Sequence, residues 1–296
     1  MDLTVQTVAI TCFALLAIGY GVFIILGQIE KLAPTVKDVW PILHTETLIV
    51  GAAAGSFWIG GWLLSIALLI HAWRVMFEAT SVINKRTELA NPALVGLGFI
   101  GVCLLGSLFS LGFLAATCVL CMCAMGANTY LRVITVDPAV KAMTDLLMFP
   151  GLPLFIFTIA GLQGGYGVWL LAAFLLVETF DGYALLGGKL FGKRKAFPTL
   201  SPNKTTEGLA IGAAMLMLTA ALAGALLVGL PLLASAGIAL VAGALTLIGD
   251  LTASRMKRAA GVKDFPVILT RQGGLLDITD AWITPGAGLV CLALVL

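Results

Sequence analysis

Charge is the scarcest commodity in this 296-residue chain: 17 Lys and Arg, 15 Asp and Glu, and two His. Only 11% of residues are charged, whereas soluble domains carry about 25%. That deficit, with 60% hydrophobic residues and a mean hydropathy of +1.08, excludes a soluble globular protein. Disordered and collagen-like chains are excluded as well, because neither is so apolar. No low-complexity tract, linker or separable polar domain interrupts the chain. The six cysteines fall almost wholly inside apolar runs, so they indicate neither a disulfide framework nor an oxidising compartment. Cys118, Cys121 and Cys123 lack the second pair or nearby His that a zinc site needs. His44 and His71 lie far apart, in an external loop and near a helix end, and are assigned interfacial or packing roles. Gly96-Leu-Gly-Phe-Ile-Gly101 has dinucleotide-loop spacing, but it sits inside an apolar run without the strand that the motif requires.

Long apolar runs are what the chain has in abundance. A transmembrane helix needs about 20 apolar residues, and the runs predict about nine spans. These cover residues 5–26, a second run of about 48–70, 93–125 divided near Gly112, then 146–162, 166–186, 209–228, 232–250 and 277–296. The first run is too long for a signal-peptide core and lacks a cationic start, so it is taken as an uncleaved span. Residues 28–47 become an external loop, and the loops after spans two, four, six and eight hold 15 of the 17 Lys and Arg. The positive-inside rule makes that side the cytoplasm. The expected fold is therefore an all-α polytopic membrane protein with a cytoplasmic amino terminus. It divides into an amino-terminal helix and loop, residues 1–45, and a membrane-embedded domain, residues 46–296.

The remaining charge is concentrated. Charged groups within spans are costly and usually functional; Asp181 and Glu178 lie inside span six, and Asp250 ends span eight. If the helix continues past Asp250, then Ser254, Lys257 and Arg258 follow at i+4, i+7 and i+8 on the same face. A carboxylate, a hydroxyl and two cations suit a metal-bound polyphosphate: the acid holds a hard divalent cation and the bases neutralise phosphate oxygens. Lys263, Asp264, Gly273-Gly274, Asp277 and Asp280 come next, the last two three apart at the start of the final helix. After span six, the basic turn 187–193 leads into Ser201-Pro-Asn-Lys204-Thr-Thr-Glu207-Gly208, where Thr205 or Thr206 could cap span seven.

These segments resemble the membrane phosphatidate cytidylyltransferases, also called CDP-diacylglycerol synthases. The likeness rests on Ser254-x-x-Lys257-Arg258-x4-Lys263-Asp264 followed by Gly273-Gly274-x-x-Asp277-x-x-Asp280. Asp181, Gly188-x-x-Phe191-Gly192-Lys193 and Ser201-Pro202-x-Lys204-Thr205-x-Glu207-Gly208 extend it, so order and spacing agree over residues 178–285. Upstream the likeness is mainly hydropathy, with weak support from the stretch between Gly60 and Glu78.

The resemblance implies transfer of CMP from CTP to a lipid phosphate, phosphatidic acid first, with release of pyrophosphate. It implies Asp250 and Asp277 as Mg²⁺ ligands, with room for a second cation. Ser254, Lys257, Arg258, Lys263, Asp264 and Asp280 would serve the reaction, while Asp181, Lys193, Ser201, Lys204, Glu207, Gln272, Gly273 and Gly274 would bind substrate. The partners implied are CTP, the lipid phosphate and the bilayer; a homodimer is left open and no nucleic acid is expected. The setting implied is a bacterial inner membrane with the site facing the cytoplasm. The chain departs from the family pattern at Gln272, where His is usual, and at Ile278, where Arg is usual; Pro266, Thr270 and Leu185 also differ. Gln cannot titrate near neutrality and Ile removes a phosphate-pairing cation. A lipid-alcohol kinase, an inactive relative and a transporter are the competing classes. A transporter predicts charges near the bilayer midplane and broken helices, unlike the one-sided crowding seen here.

Overall fold

The computed structural model describes residues 4–30, 33–131, 137–269 and 272–295, so Arg132, Thr270 and Arg271 of the sequence argument lie outside the described residues. The chain is an all-α polytopic membrane protein apart from one short hairpin. Helices α1 (Val5–Gly27), α2 (Ala33–Ile59), α3 (Gly61–Ile83), α4 (Pro92–Gly106) and α5 (Leu111–Leu131) come first. Helices α6 (Pro138–Leu146) and α7 (Leu152–Gln163) form one span kinked at Pro150. After α8 (Gly167–Phe191), strands β1 (Lys195–Phe197) and β2 (Ser201–Thr205) pair antiparallel. Then come α9 (Thr206–Ala223), α10 (Leu232–Ala259) and α11 (Leu275–Ala293).

Among the described residues, eight helices are long and apolar enough to cross a membrane, and α4 is a shorter apolar ninth. The division expected near Gly112 falls a few residues earlier, at 107–110 between α4 and α5, and α10 does run on past Asp250 to Ala259. Local chemistry sets several starts: Asn91 accepts from Ala93 N ahead of Pro92, Asp137 from Ala139 N ahead of Pro138, and Thr205 from Gly208 N. All six cysteines are free thiols.

The second span is not as expected. Residues 48–70 are not one helix, because Gly60 and Gly61 both adopt positive φ, 65° and 56°, and break the run between α2 and α3. An additional leg, α2, is the result. Val5 and Phe57 sit against Gly167, at the start of α8, while Leu43, Gly19, Tyr183 and Leu186 line one groove near its other end. Helix α1 therefore runs parallel to α8 and α2 antiparallel to it. The start of α1 lies beside Gly167, at the end of α8 remote from Asp181. Residues 33–47 belong to α2 and are not an external loop.

Helices α8 to α11 carry most of the charged residues of the site. Helices α8 and α9 approach closely because Gly187, Gly188, Gly208 and Gly212 carry no side chain at the crossing. A Cβ on Gly208 would meet the backbone of Ala184 and Gly188, and one on Gly212 would meet Ala184. Helices α10 and α11 close up similarly at Gly249, against Asp280 O and Thr284. Trp282 anchors the middle, packed on Phe57, Phe157 and Phe174, with Nε1 donating to Leu170 O at 2.8 Å.

Candidate active site

Helix α10 places Asp250, Ser254 and Lys257 on one face, as its period demands. Ser254 and Lys257 are buried, and Lys257 Nζ pairs with Asp277 Oδ1 on α11. Asp250 faces a cavity of about 300 Å³ that Glu178, Asp181, Gln272, Asp277 and Asp280 also line. Ile49 of α2 borders the same cavity, a contribution that the run-based span assignment could not show. Arg258 does not join this face. Its side chain is exposed and Nη1 donates to Val262 O at 3.0 Å, closing the end of α10 instead. Lys263 and Asp264 are likewise exposed on the following loop and line no part of the cavity. Those three therefore do not converge on the acids: Lys263 and Asp264 follow the turn at Gly261, φ 70°, and the Arg258 guanidinium is taken up by Val262 O.

Residues 265–276 are held by two carboxylates. Asp277 Oδ2 accepts from Phe265 N at 2.8 Å and Gly274 N at 2.9 Å, while its Oδ1 meets Lys257. Glu78 of α3 is fully buried and accepts from Leu275 N at 2.9 Å and Leu276 N at 2.8 Å, the first free amides of α11. Arg74, one turn earlier, donates to Glu78 at 2.7 Å and to Pro266 O at 3.1 Å. Both glycines of the pair are required by this arrangement. Gly273 has φ 87° and its missing Cβ leaves room for the Asp277 carboxylate; a Cβ on Gly274 would collide with Glu78. The residues that sequence reasoning missed are therefore Arg74 and Glu78. An Arg/Glu pair at i and i+4 inside an apolar span was the available signal. His71, on the same helix, is half-buried and 3.0 Å from Thr279 Oγ1, a packing role close to the one expected.

The hairpin supplies the other half. Lys204 Nζ lies 3.2 Å from Asp250 Oδ2 and 3.6 Å from Asp181 Oδ1, so one ammonium bridges α8 and α10. Burial lowers its pKa, but the facing carboxylates Asp181 and Asp250 outweigh that and hold it above the usual lysine value. Asp181 also joins the acid cavity to a second one of about 600 Å³, lined by Lys189, Lys195, Asn203 and Lys204. Gly187 and Gly188 are helical and serve the α8–α9 crossing rather than forming a basic turn. Glu207 accepts from the amides of Lys193 and Arg194 at 3.0 and 3.1 Å, so it fastens the hairpin. Lys193 contributes that amide while its side chain is exposed, and Ser201 pairs with Phe197 in the strand register.

No group of three or more His, Cys, Asp or Glu is close enough to enclose a metal ion among the described residues. Mg²⁺ is in general bound by one or two carboxylates plus water and phosphate oxygens rather than by a protein cage. Asp250 Oδ2 fits as a ligand: it is buried and makes no directed hydrogen bond, though an ammonium lies 3.2 Å away. Asp277 is more committed, but a carboxylate offers about four lone-pair positions, one beyond the three donors it already meets.

Residues 42–295 match the model of a family described as the cytidylyltransferase family. A phosphatidate cytidylyltransferase of Staphylococcus aureus (strain COL) is 39% identical over 117 residues, 39% of this chain and 45% of the relative. One of Helicobacter pylori is 37% identical over 150 residues, 48% of this chain and 53% of the relative. Uncharacterized protein YnbB of Escherichia coli (strain K12) is 40% identical over 124 residues, 41% of each chain. The chain thus spans about half the length, or less, of these curated relatives.

Proposed function

The chain belongs to the cytidylyltransferase family, and from that premise we propose that it transfers CMP from CTP to a lipid phosphate within the membrane. Phosphatidic acid is the first acceptor expected, by analogy with the phosphatidate cytidylyltransferases that share the matched stretch. The single observation that carries this reading is Lys204 bridging Asp181 and Asp250 beside the Lys257–Asp277 pair. Acids and ammonium groups interleave there at the surface of an otherwise apolar bundle, the pairing needed to receive a metal-bound triphosphate.

In the reaction proposed, an oxygen of the lipid phosphate attacks the α-phosphorus of CTP. The bond from that phosphorus to the α–β bridging oxygen breaks, and pyrophosphate leaves. Lys204 and Lys257 exchange their carboxylate partners in part for phosphate oxygens and neutralise the charge on the leaving group. Ser254, buried on the same face of α10, donates to a phosphate oxygen. No side chain need act as a base, because the lipid phosphate already carries an ionised oxygen at neutral pH. Asp250 and Asp277 would hold Mg²⁺, which when bound polarises the phosphoryl oxygens and orients the two substrates.

Lipid access is supported by a largely apolar groove of about 460 Å³ between α1, α2 and α8, which Glu178 connects to the acid cavity. Acyl chains could stay in the bilayer while CTP enters from water, and the positive-inside rule makes that aqueous side the cytoplasm. Purified full chain with CTP, Mg²⁺ and a panel of lipid phosphates is the test, read by mass spectrometry of the lipid product. A gain of CMP on phosphatidic acid above other acceptors is expected. Failure on every lipid phosphate would overturn the proposal.

A further inference from the structure

The opposite face of α10 borders a second polar cleft that the proposed reaction does not use. Thr252, Arg255, Met256 and Ala259 point roughly half a helical turn away from Asp250, Ser254 and Lys257. They wall a cleft of about 640 Å³ against α3, α5 and α6, within the size range of ligand sites. Arg86, Lys141 and Arg255 bring three positive charges to it, and Asp145 is the one carboxylate in its lining. Three cations less one acid leave a net +2. Asp145 is shared between Arg86 and Lys141 at 3.5 Å each, the outer limit for a directed bond, and Arg255 has no ion-pair partner among the described residues. Ile83, Met148 and Met256 form an apolar floor beneath these cations.

Uncompensated like charges over an apolar floor at a helix-bundle end suit an anion that carries its own apolar tail. Basic clefts between membrane helices take phosphate headgroups for this reason. We propose that the cleft is a second anion site, which holds the phosphate headgroup of an anionic lipid on the side of α10 turned away from the acid cavity. The hydroxyls of Thr144 and Thr252 donate to their own helices, at 2.9 and 2.7 Å, so the cations supply the recognition. The site does not depend on the transfer chemistry above, since it shares no side chain with the acid cavity.

The test uses the full chain in phosphatidylcholine nanodiscs doped with phosphatidylglycerol, whose headgroup is not a phosphate monoester, and native mass spectrometry of retained lipid. Wild type should retain phosphatidylglycerol in preference to phosphatidylcholine. Arg255→Gln and Arg86→Gln should each weaken retention about fivefold, Arg255→Lys should restore most of it, and Asp250→Ala should leave it unchanged. Arg255 is exposed, so its variants keep the test independent of folding. Equal retention in both Gln variants would overturn the site. Displacement of the lipid by millimolar inorganic phosphate, with no tail dependence, would overturn the lipid assignment in favour of a free phosphate.

Discussion

Asp250→Ala is expected to abolish formation of the cytidylyl lipid and to leave the protein folded. The carboxylate faces the acid cavity from α10 and is the partner 3.2 Å from Lys204. Its removal deletes a proposed metal ligand and frees Lys204 to collapse onto Asp181, 3.6 Å away. Ala is the best helix former, so α10 itself loses nothing. A fall of at least about 10³-fold in kcat/KM is expected, equivalent to about 4 kcal/mol of transition-state stabilisation. Turnover of labelled CTP and the thermal midpoint are measured on one sample. Undiminished turnover would sink the assignment, and Asp250→Asn, which keeps shape but not charge, should be nearly as inactive.

Glu78→Ala acts through the fold. It orphans the amides of Leu275 and Leu276 and strands the Arg74 guanidinium, which otherwise ties α3 to Pro266. Breaking a buried ion pair by removing one partner costs about 3–5 kcal/mol, a large share of the 5–15 kcal/mol typical of a native protein. The expected result is a lower thermal midpoint, a poor folded yield and loss of activity together. Glu78→Gln can still accept one amide bond and should fall between. A Glu78→Gln protein with unchanged thermal midpoint and no activity would contradict the positioning role and place Glu78 in the reaction itself.

How much of this was legible before the structure depends on how each residue advertises itself. Asp181, Asp250, Lys257 and Asp277 stood out because charge in an apolar chain is costly, and α10 brings the motif together as its period required. A threonine cap was legible as Thr205 or Thr206, because such side chains compete for the free amides at a helix start, and the structure selects Thr205. The break at Gly60-Gly61 was not, since glycine is common inside membrane helices and apolar residues continue on both sides. That one break changed the path of α1 and α2. Arg258 carried the right charge for a phosphate site and Glu207 stood in the matching motif, yet each finds backbone partners nearby, a choice that depends on where the loops turn. The Arg74–Glu78 spacing was visible, but what Glu78 holds was hidden, because the amides it accepts from lie 197 and 198 residues away on α11.

The central claim, nucleotidyl rather than phosphoryl transfer, is tested most directly by the fate of two labels. Full-length protein in lipid vesicles is given a lipid phosphate, Mg²⁺ and CTP labelled either at the α- or at the γ-phosphate. The account predicts α-label in the lipid and γ-label in released pyrophosphate. With a lipid alcohol also offered, γ-label in the lipid and CDP in solution would contradict it.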